Sequence, residues 1–176
     1  MSKDVFKIFT RKLSSYTLFE HDMHLRKGLY NRFNHYMKTK AALQEIKANF
    51  PDFKKFLLVE DTIDNYYSIN EAIKTEDYVQ LMKVLSFPLF ETVEKSIKTN
   101  NPLTFTLHDE ISKCDLVGAR VVKNEITKPK PYNIWYQVSF NFVIKDNKGF
   151  KDQLVVVERR QIDEDKNDWR ICSISN

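Results

Sequence analysis

The strongest constraint on the fold is a change in the spacing of apolar residues at Pro102. Before this proline, apolar residues recur every three or four positions, which is the period of an amphipathic helix. After it they alternate with polar residues, most clearly at Tyr136, Val138, Phe140, Phe142 and Ile144. Alternation of this kind is typical of a β-strand with one buried side. Helices followed by consecutive strands predict an α+β fold, in which the helices pack on one face of a curved antiparallel sheet of about four strands.

Two long helical patterns are separated by Phe50-Pro51-Asp52. The first runs from Ser15 to Asn49, without proline, and we expect a bend near Gly28 because glycine is its weakest helix former. The second is expected to open at Pro51 or Asp52 and to continue to Ile73.

Two shorter helices complete the helical half of the chain. Thr75 is the predicted N-cap of the first, whose apolar positions extend to Leu85. Ser86-Phe87-Pro88 starts the second, because proline is favoured in the first turn of a helix. Thr99-Asn100-Asn101-Pro102 ends it.

The alternating half begins at Leu103, Phe105 and Leu107. Longer strand patterns cover Asp115–Asn124, Ile134–Lys145, Gln153–Gln161 and Trp169–Ser173. Asp146–Gly149 has the composition of a hairpin turn, with glycine where a positive φ is needed. Lys128–Pro131 and Ile162–Asp168 are predicted loops between strands.

Positive charge is concentrated at the start of the chain. Residues 1–40 hold nine Lys or Arg against three acids, whereas the remaining 136 residues hold 19 basic and 21 acidic groups. This asymmetry predicts that the N-terminal arm meets an anionic partner: a membrane surface, RNA or an acidic protein surface. The candidate contact residues are Lys7, Arg11, Lys12, Arg26, Lys27, Arg32 and Lys38.

The arm is also apolar on one side. Residues 1–14 are amphipathic and basic, which is typical of a mitochondrial targeting segment and also of an ordinary surface helix end. Beyond them an aromatic stripe continues along the same helical pattern. This stripe either packs on its own domain, or it docks on another subunit or a membrane surface. It consists of Phe19, Met23, Tyr30, Phe33 and Met37.

The sequence gives little support for metal or phosphate chemistry. It has no glycine-rich phosphate loop, HExxH motif or Gly-x-Ser-x-Gly motif. His21 and His24 have a chelating spacing, but no third ligand is near them, so we expect no metal and no cofactor. Glu60, Asp61 and Asp64 are interpreted as the solvated face of the second helix.

Enzymatic activity is not expected either. A cavity between helices and sheet would be lined by Tyr66, Tyr67, Tyr136 and His108, but the inward strand positions are apolar and offer no candidate for a buried acid.

The two cysteines are too few for a disulfide framework, which favours a reducing compartment. Cys114 and Cys172 are expected as free, buried or half-buried thiols, and they could approach each other only on neighbouring strands. No apolar run approaches the roughly 20 residues that span a bilayer, so we expect a soluble or peripheral protein.

Four stretches after residue 50 occur in an order and spacing that resemble one family. They are Phe50–Leu57, Glu71–Leu81, Phe140–Phe150 and Trp169–Ile174. Together they resemble the Tim-forty-four-like domain family, which includes the matrix domain of the mitochondrial import-motor tether and the L-forty-five-type protein of the mitochondrial large ribosomal subunit. The resemblance implies a cone-shaped relative of the nuclear-transport-factor-two fold, a location in the mitochondrial matrix near the inner membrane, and no catalytic chemistry.

These observations predict a basic helical extension at residues 1–49 and a Tim-forty-four-like domain at 50–176. The chain lacks the long upstream region of the import tether and most of the extension of the ribosomal protein. We therefore expect a non-catalytic accessory subunit of a respiratory-chain complex or ATP synthase, peripheral to the inner membrane, with other subunits and anionic lipid as partners. The alternatives are a ribosomal protein that binds rRNA and the membrane, an import or assembly factor, and a small-molecule-binding or isomerase-like enzyme.

Overall fold

A computed structural model of the protein describes residues 29–124, 133–146, 149–161 and 168–175. Within these ranges four helices precede a four-stranded antiparallel sheet, which confirms the predicted α+β class. The helices are α1 (Leu29–Asn49), α2 (Lys55–Lys74), α3 (Tyr78–Val84) and α4 (Phe87–Thr99). The strands are β1 (Ile111–Asn124), β2 (Asn133–Asp146), β3 (Gly149–Arg160) and β4 (Arg170–Ser175), and their order in the sheet is their order in the chain.

Several predicted features lie outside the described residues. They are the amphipathic stretch 1–14, the first part of the long helical pattern with its bend near Gly28, and the loop at Lys128–Pro131. The second part of that long pattern is confirmed, because α1 ends at Asn49, where the sequence places the break.

Helix α2 begins later than the sequence predicts. The prediction that Pro51 or Asp52 opens the helix is wrong, because residues 50–53 form a turn instead. In this turn the Phe53 amide donates to the Phe50 carbonyl at 2.9 Å, and Lys54 is extended, with φ −127°. The turn orients both phenylalanine rings toward Trp169, at centroid distances of 6.4 Å and 6.1 Å.

Helix α3 is capped by Asp77 and not by Thr75. The Asp77 carboxylate accepts a hydrogen bond from the Gln80 amide at 3.0 Å, whereas the Thr75 amide bonds back to Glu71 and ends α2. The prediction failed because Thr75 still belongs to the preceding helix end, and the chain reverses at Glu76, whose φ is 54°. The start of α4 at Phe87, with Pro88 in its first turn, is confirmed.

The alternation at Leu103, Phe105 and Leu107 does not form a strand. Phe105 is buried and its two apolar neighbours pack against the core, so the alternation reflects a buried side of an extended segment. Side chains, and not a neighbouring strand, hold the segment. Gln153 donates to the Thr106 carbonyl at 2.8 Å, and the His108 amide donates to the Tyr66 hydroxyl at 3.1 Å.

One sheet face packs against the helices. Strand β2 contributes the five residues whose alternation predicts burial, and all five are buried: Tyr136, Val138, Phe140, Phe142 and Ile144. Phe140 lies opposite Val155 of β3, and both belong to the cluster that includes Leu58, Ile69 and Val93 of the helices. The predicted hairpin is also present, with Asp146 paired to Gly149, whose φ of 125° requires glycine.

The opposite sheet face, called the second face below, is also buried in the two central strands. It carries Gln137 and Ser139 of β2 and Leu154, Val156 and Glu158 of β3, all buried. A strand with one face exposed to solvent would show alternating buried and exposed residues. Here burial is continuous from Tyr136 to Phe140 and from Gln153 to Glu158, so both faces are covered there.

The positions of the two cysteines exclude a disulfide between them. Cys114 lies on β1 and Cys172 on β4, which are the two edges of the sheet. Two strands separate them, so the strand axes are about 14 Å apart. Disulfides need Cα atoms within about 7 Å. Both thiols are free and half-buried residues, as the sequence predicts.

Candidate functional site

Polar side chains form a continuous row across the second face, called the polar ladder below. Arg120 Nε of β1 donates to Gln137 Oε1 of β2 at 2.8 Å, and Gln137 Nε2 donates to Glu158 Oε2 of β3 at 3.0 Å. On β4, Arg170 is paired in register with Glu158, and the Cys172 thiol donates to the Val156 carbonyl at 3.4 Å. The register places these side chains at successive strands of the sheet.

Glu158 is the chemically most unusual residue of the polar ladder. It is 4% exposed. Burial raises the pKa of its carboxyl group, and hydrogen bonds from Gln137 and Cys172 with the charges of Arg120 and Arg170 oppose this rise without cancelling it. The same burial raises the pKa of the Cys172 thiol well above its usual value. A thiol with a raised pKa is a poor nucleophile at neutral pH.

The helix-facing strand positions are apolar, as the sequence predicts, and the buried acid lies instead on the second face, where the sequence analysis names no candidate. The sequence signal was a single carboxylate between apolar residues and two arginines, in Val157-Glu158-Arg159. Its partner Gln137 belongs to another strand, and only the strand register brings the two side chains together. A carboxyl group with a raised pKa can transfer protons, provided that a substrate reaches it. The buried Glu158 carboxyl is instead committed to hydrogen bonds between strands.

We predict that Glu158 makes the protein less stable as the pH rises. Its pKa is higher in the folded chain than in the unfolded chain, so between these two values the folded state binds more protons. Stability from this residue is therefore complete below the unfolded pKa and declines as the pH rises through the folded pKa. Glu158→Gln should remove this decline. Urea unfolding at pH 4 to 8 should show the variant gaining on the wild type as the pH increases.

The matched control for this measurement is Glu60→Gln, since Glu60 is an exposed residue of α2. A constant free-energy difference between Glu158→Gln and the wild type over the whole pH range would contradict the prediction.

The tyrosines predicted to line a cavity are used as internal hydrogen-bonding groups. Tyr66 is fully buried, and its hydroxyl donates to Gln153 Oε1 at 2.7 Å while accepting from the His108 amide. Burial raises the pKa of Tyr66 to about 12, so the hydroxyl stays protonated. Tyr67 accepts from the Ile111 amide at 3.1 Å, and Tyr136 is buried against Phe50. The structure thus brings Tyr66 and His108 together, but the Tyr66 hydroxyl bonds to the backbone amide of His108 and not to its imidazole ring.

Of the candidate metal ligands, the structure describes only His35. His21 and His24 lie outside the described residues, and His35 has its Nε2 atom 2.8 Å from the Val117 carbonyl. Among the described residues no group of three or more His, Cys, Asp or Glu side chains could hold a metal ion.

The acidic residues of α2 lie in solvent. Glu60, Asp61 and Asp64 are exposed, as the sequence predicts. Partial burial raises the pKa of Asp61, and the charges of Asp64 and Asp168 add to this effect.

The apolar stripe of the basic arm continues into α1 and is exposed there. Phe33, Tyr36 and Met37 are 63%, 60% and 46% exposed. They are spaced three and four residues apart, so they share one side of the helix. Two of the predicted contact residues, Arg32 and Lys38, are exposed on the same helix. Arg32 lies one turn before Tyr36 and borders the apolar stripe, whereas Lys38 directly follows Met37 and faces away from it. The other five predicted contact residues, Lys7, Arg11, Lys12, Arg26 and Lys27, lie outside the described residues.

The first four turns of this helix carry only positive charge. From Leu29 to Gln44 the sequence contains Arg32, Lys38 and Lys40 and no acidic residue. Exposed apolar groups beside cationic groups suit an anionic surface with apolar contacts. We call Phe33, Tyr36 and Met37, with Arg32 and Lys40 each four residues from Tyr36, the apolar-basic face of α1. None of the helices in the described ranges has the length and hydropathy required to cross a membrane.

No protein-family model matches the chain, and no curated protein is significantly similar to it. Any functional assignment therefore rests on the fold, the polar ladder and the apolar-basic face of α1.

Proposed function

We propose that this protein is a non-catalytic accessory subunit of a large assembly at the mitochondrial inner membrane, a respiratory-chain complex or ATP synthase. It would lie on the matrix side, peripheral to the membrane, and dock on an acidic surface of another subunit through its basic N-terminal arm. The apolar-basic face of α1 is the observation that carries this proposal. Its aromatic side chains are mostly exposed on a helix whose first four turns lack acidic residues.

The exposure of this face favours a macromolecular partner. A folded chain gains free energy by burying aromatic side chains, at about 25 cal/mol per Å² of apolar surface. Aromatic residues and arginine are also the residue types enriched in protein interfaces. Because Phe33 and Tyr36 are separated by one helical turn, they can insert together into one groove, while Arg32 and Lys40 meet carboxylates at its rim.

The absence of catalysis in this proposal rests on what the two sheet faces carry. The helix-facing side is filled by apolar residues such as Val138, Phe140 and Phe142. On the second face, the Gln137 side chain is hydrogen-bonded to Arg120 and Glu158 of the neighbouring strands. The order of helices and strands agrees with a Tim-forty-four-like domain at residues 50–176, and the mitochondrial location comes from that resemblance alone.

The experiment is a test of co-migration on a native gel of solubilised mitochondria. The full-length chain with Phe33→Asp and Met37→Asp is expected to lose its place in the assembly, because two carboxylates then face an acidic partner. The control is Val79→Asp with Met82→Asp on α3. That pair has nearly the same exposure, 61% and 49%, but lies outside the arm.

Retention of the Phe33→Asp/Met37→Asp variant in the assembly would contradict the proposal, as would equal loss of both variants. The aromatic and basic residues of α1 could also stack on bases and contact phosphates, as a ribosomal protein would require. Migration with ribosomal RNA and not with respiratory-chain or rotary subunits would replace the proposed function by that alternative.

A further inference from the structure

The two edges of the sheet differ in what covers them. At the β4 edge, the Ser86 amide donates to the Ile171 carbonyl at 2.8 Å, and Leu85 forms a parallel bridge to the same residue. The other edge is the long strand β1. Within the described residues, the backbone of Ser112–Leu116 in this strand has no hydrogen-bond partner beyond β2. An uncovered edge strand is a template on which another strand can pair.

The middle of this open edge is regular and carries one charge of each sign. Lys113, Cys114, Asp115 and Leu116 pair in unbroken register with β2, between two register shifts. Lys113 and Asp115 point to the same face of the sheet, because they are two residues apart. Their side chains are 65% and 46% exposed and form an ion pair, with Nζ 2.6 Å from Oδ2. A strand laid along this edge would therefore meet both charges.

We propose that the β1 edge pairs antiparallel with the β1 edge of a second copy of this chain, about a two-fold axis at Cys114. In this register Lys113 lies opposite Asp115 of the second copy, and Asp115 lies opposite Lys113 of the second copy. Opposite charges at directly facing positions stabilise a strand pair. An axis at Lys113 or at Asp115 would instead place like charges opposite each other, so the charges select the axis at Cys114.

This arrangement has the symmetry that a homodimer requires. A two-fold contact must be self-complementary, and Lys113-Cys114-Asp115 is self-complementary when it meets itself antiparallel. Residues that face each other across antiparallel strands point to the same side, so the helices of both copies lie on one side of a single eight-stranded sheet, four strands from each copy. Because the paired stretch is short, we expect a weak dimer that forms as the protein concentration rises.

The mass and the backbone protection of the purified, full-length chain test this pairing. Sedimentation should show the mass rising from one chain to two as the concentration increases. Hydrogen exchange, measured by mass spectrometry at a low and a high concentration, should become slower in the peptide that covers Ser112–Leu116. It should stay unchanged in the peptide that covers β4, because only the β1 edge gains hydrogen bonds.

Two charge reversals test the register. Lys113→Asp places two acids at the edge, and Asp115→Lys places two lysines there, so each variant alone is expected to raise the dimer dissociation constant about tenfold or more. An equimolar mixture of the two variants should recover the affinity through mixed dimers. The ion pair within each chain stays broken in the mixture, so this recovery can come only from contacts between chains.

Lys98→Asp is the matched control for these reversals. Lys98 pairs with Glu94 on α4 at the same 2.6 Å, and its side chain is 61% exposed, close to that of Lys113. Because it lies away from the β1 edge, this variant should dimerise as the wild type does.

A mass of one chain at every concentration would overturn the inference, and so would a mixture of the two reversal variants that associates no more tightly than either alone. If the edge pairs with a strand of a different protein, the purified chain stays monomeric, which also overturns it. The proposed function fails separately, because it concerns the apolar-basic face of α1 and depends on whether the Phe33→Asp/Met37→Asp chain leaves its assembly.

Discussion

Replacing Phe140 by alanine is expected to lower the free energy of unfolding by about 3–5 kcal/mol. Phe140 lies in the middle of β2, is fully buried, and has Leu116 and Val155 opposite it on the two neighbouring strands. Because strands on both sides and helices above fix its surroundings, the site cannot collapse to fill the space that the ring leaves. Urea unfolding of the variant and the wild type, with the slope compared as well as the midpoint, measures the loss.

Phe150 provides the matched control for Phe140. It is the same residue type on the same hairpin, at the second residue of β3, but its side chain is 70% exposed. Phe150→Ala is expected to change stability by no more than about 0.5 kcal/mol. Similar losses for the two variants would show that β2 is not the centre of the core.

Tyr66→Phe is expected to destabilise the protein by about 1–3 kcal/mol without creating a cavity. The change removes one hydroxyl, which donates to Gln153 and accepts from the His108 amide. Burial makes the loss of these bonds costly, because water cannot replace the missing partner at a side chain that is fully enclosed. The variant should also accelerate hydrogen exchange of the His108 amide, because the segment before β1 loses one of its attachments.

Tyr67→Phe is the control for this effect. Its hydroxyl accepts one bond, from the Ile111 amide, and the residue is only half-buried. It should therefore cost less than Tyr66→Phe, with exchange accelerated at Ile111 and not at His108. The reverse order of the two variants would mean that the hydroxyl of Tyr66 is not what holds the segment.

The elements that depend on side-chain period could be predicted from the sequence. The β2 alternation from Tyr136 to Ile144 identified five buried residues, because a strand between two neighbours has only two sides. Helix ends were predicted less well. Thr75 and Asp77 are both good capping residues, and the choice between them depends on where the chain reverses. At Leu103–Leu107 the period was real but the strand was absent, since Tyr66 and Gln153 supply the hydrogen bonds.

Of the two features of the candidate site, one could be predicted from the sequence and the other could not. The apolar-basic face of α1 could be predicted, because charge and helical spacing are local properties, and Phe33 and Met37 were part of the predicted stripe. The polar ladder could not, because Arg120, Gln137 and Glu158 are separated by 17 and 21 residues in the chain. Each of them, taken alone, resembles an ordinary polar residue on the wet side of a strand.

The sequence by itself determined the α+β class, the order of helices and strands, and the concentration of positive charge in the arm. These follow from spacing and composition along the chain, which act over one or two helical turns. Only the tertiary structure decided that both faces of the central strands are buried, that Glu158 lies among them with a raised pKa, and that the two cysteines stand on opposite edges. Strand register and layer packing join residues that are distant in the chain, and no local pattern encodes which of them will meet.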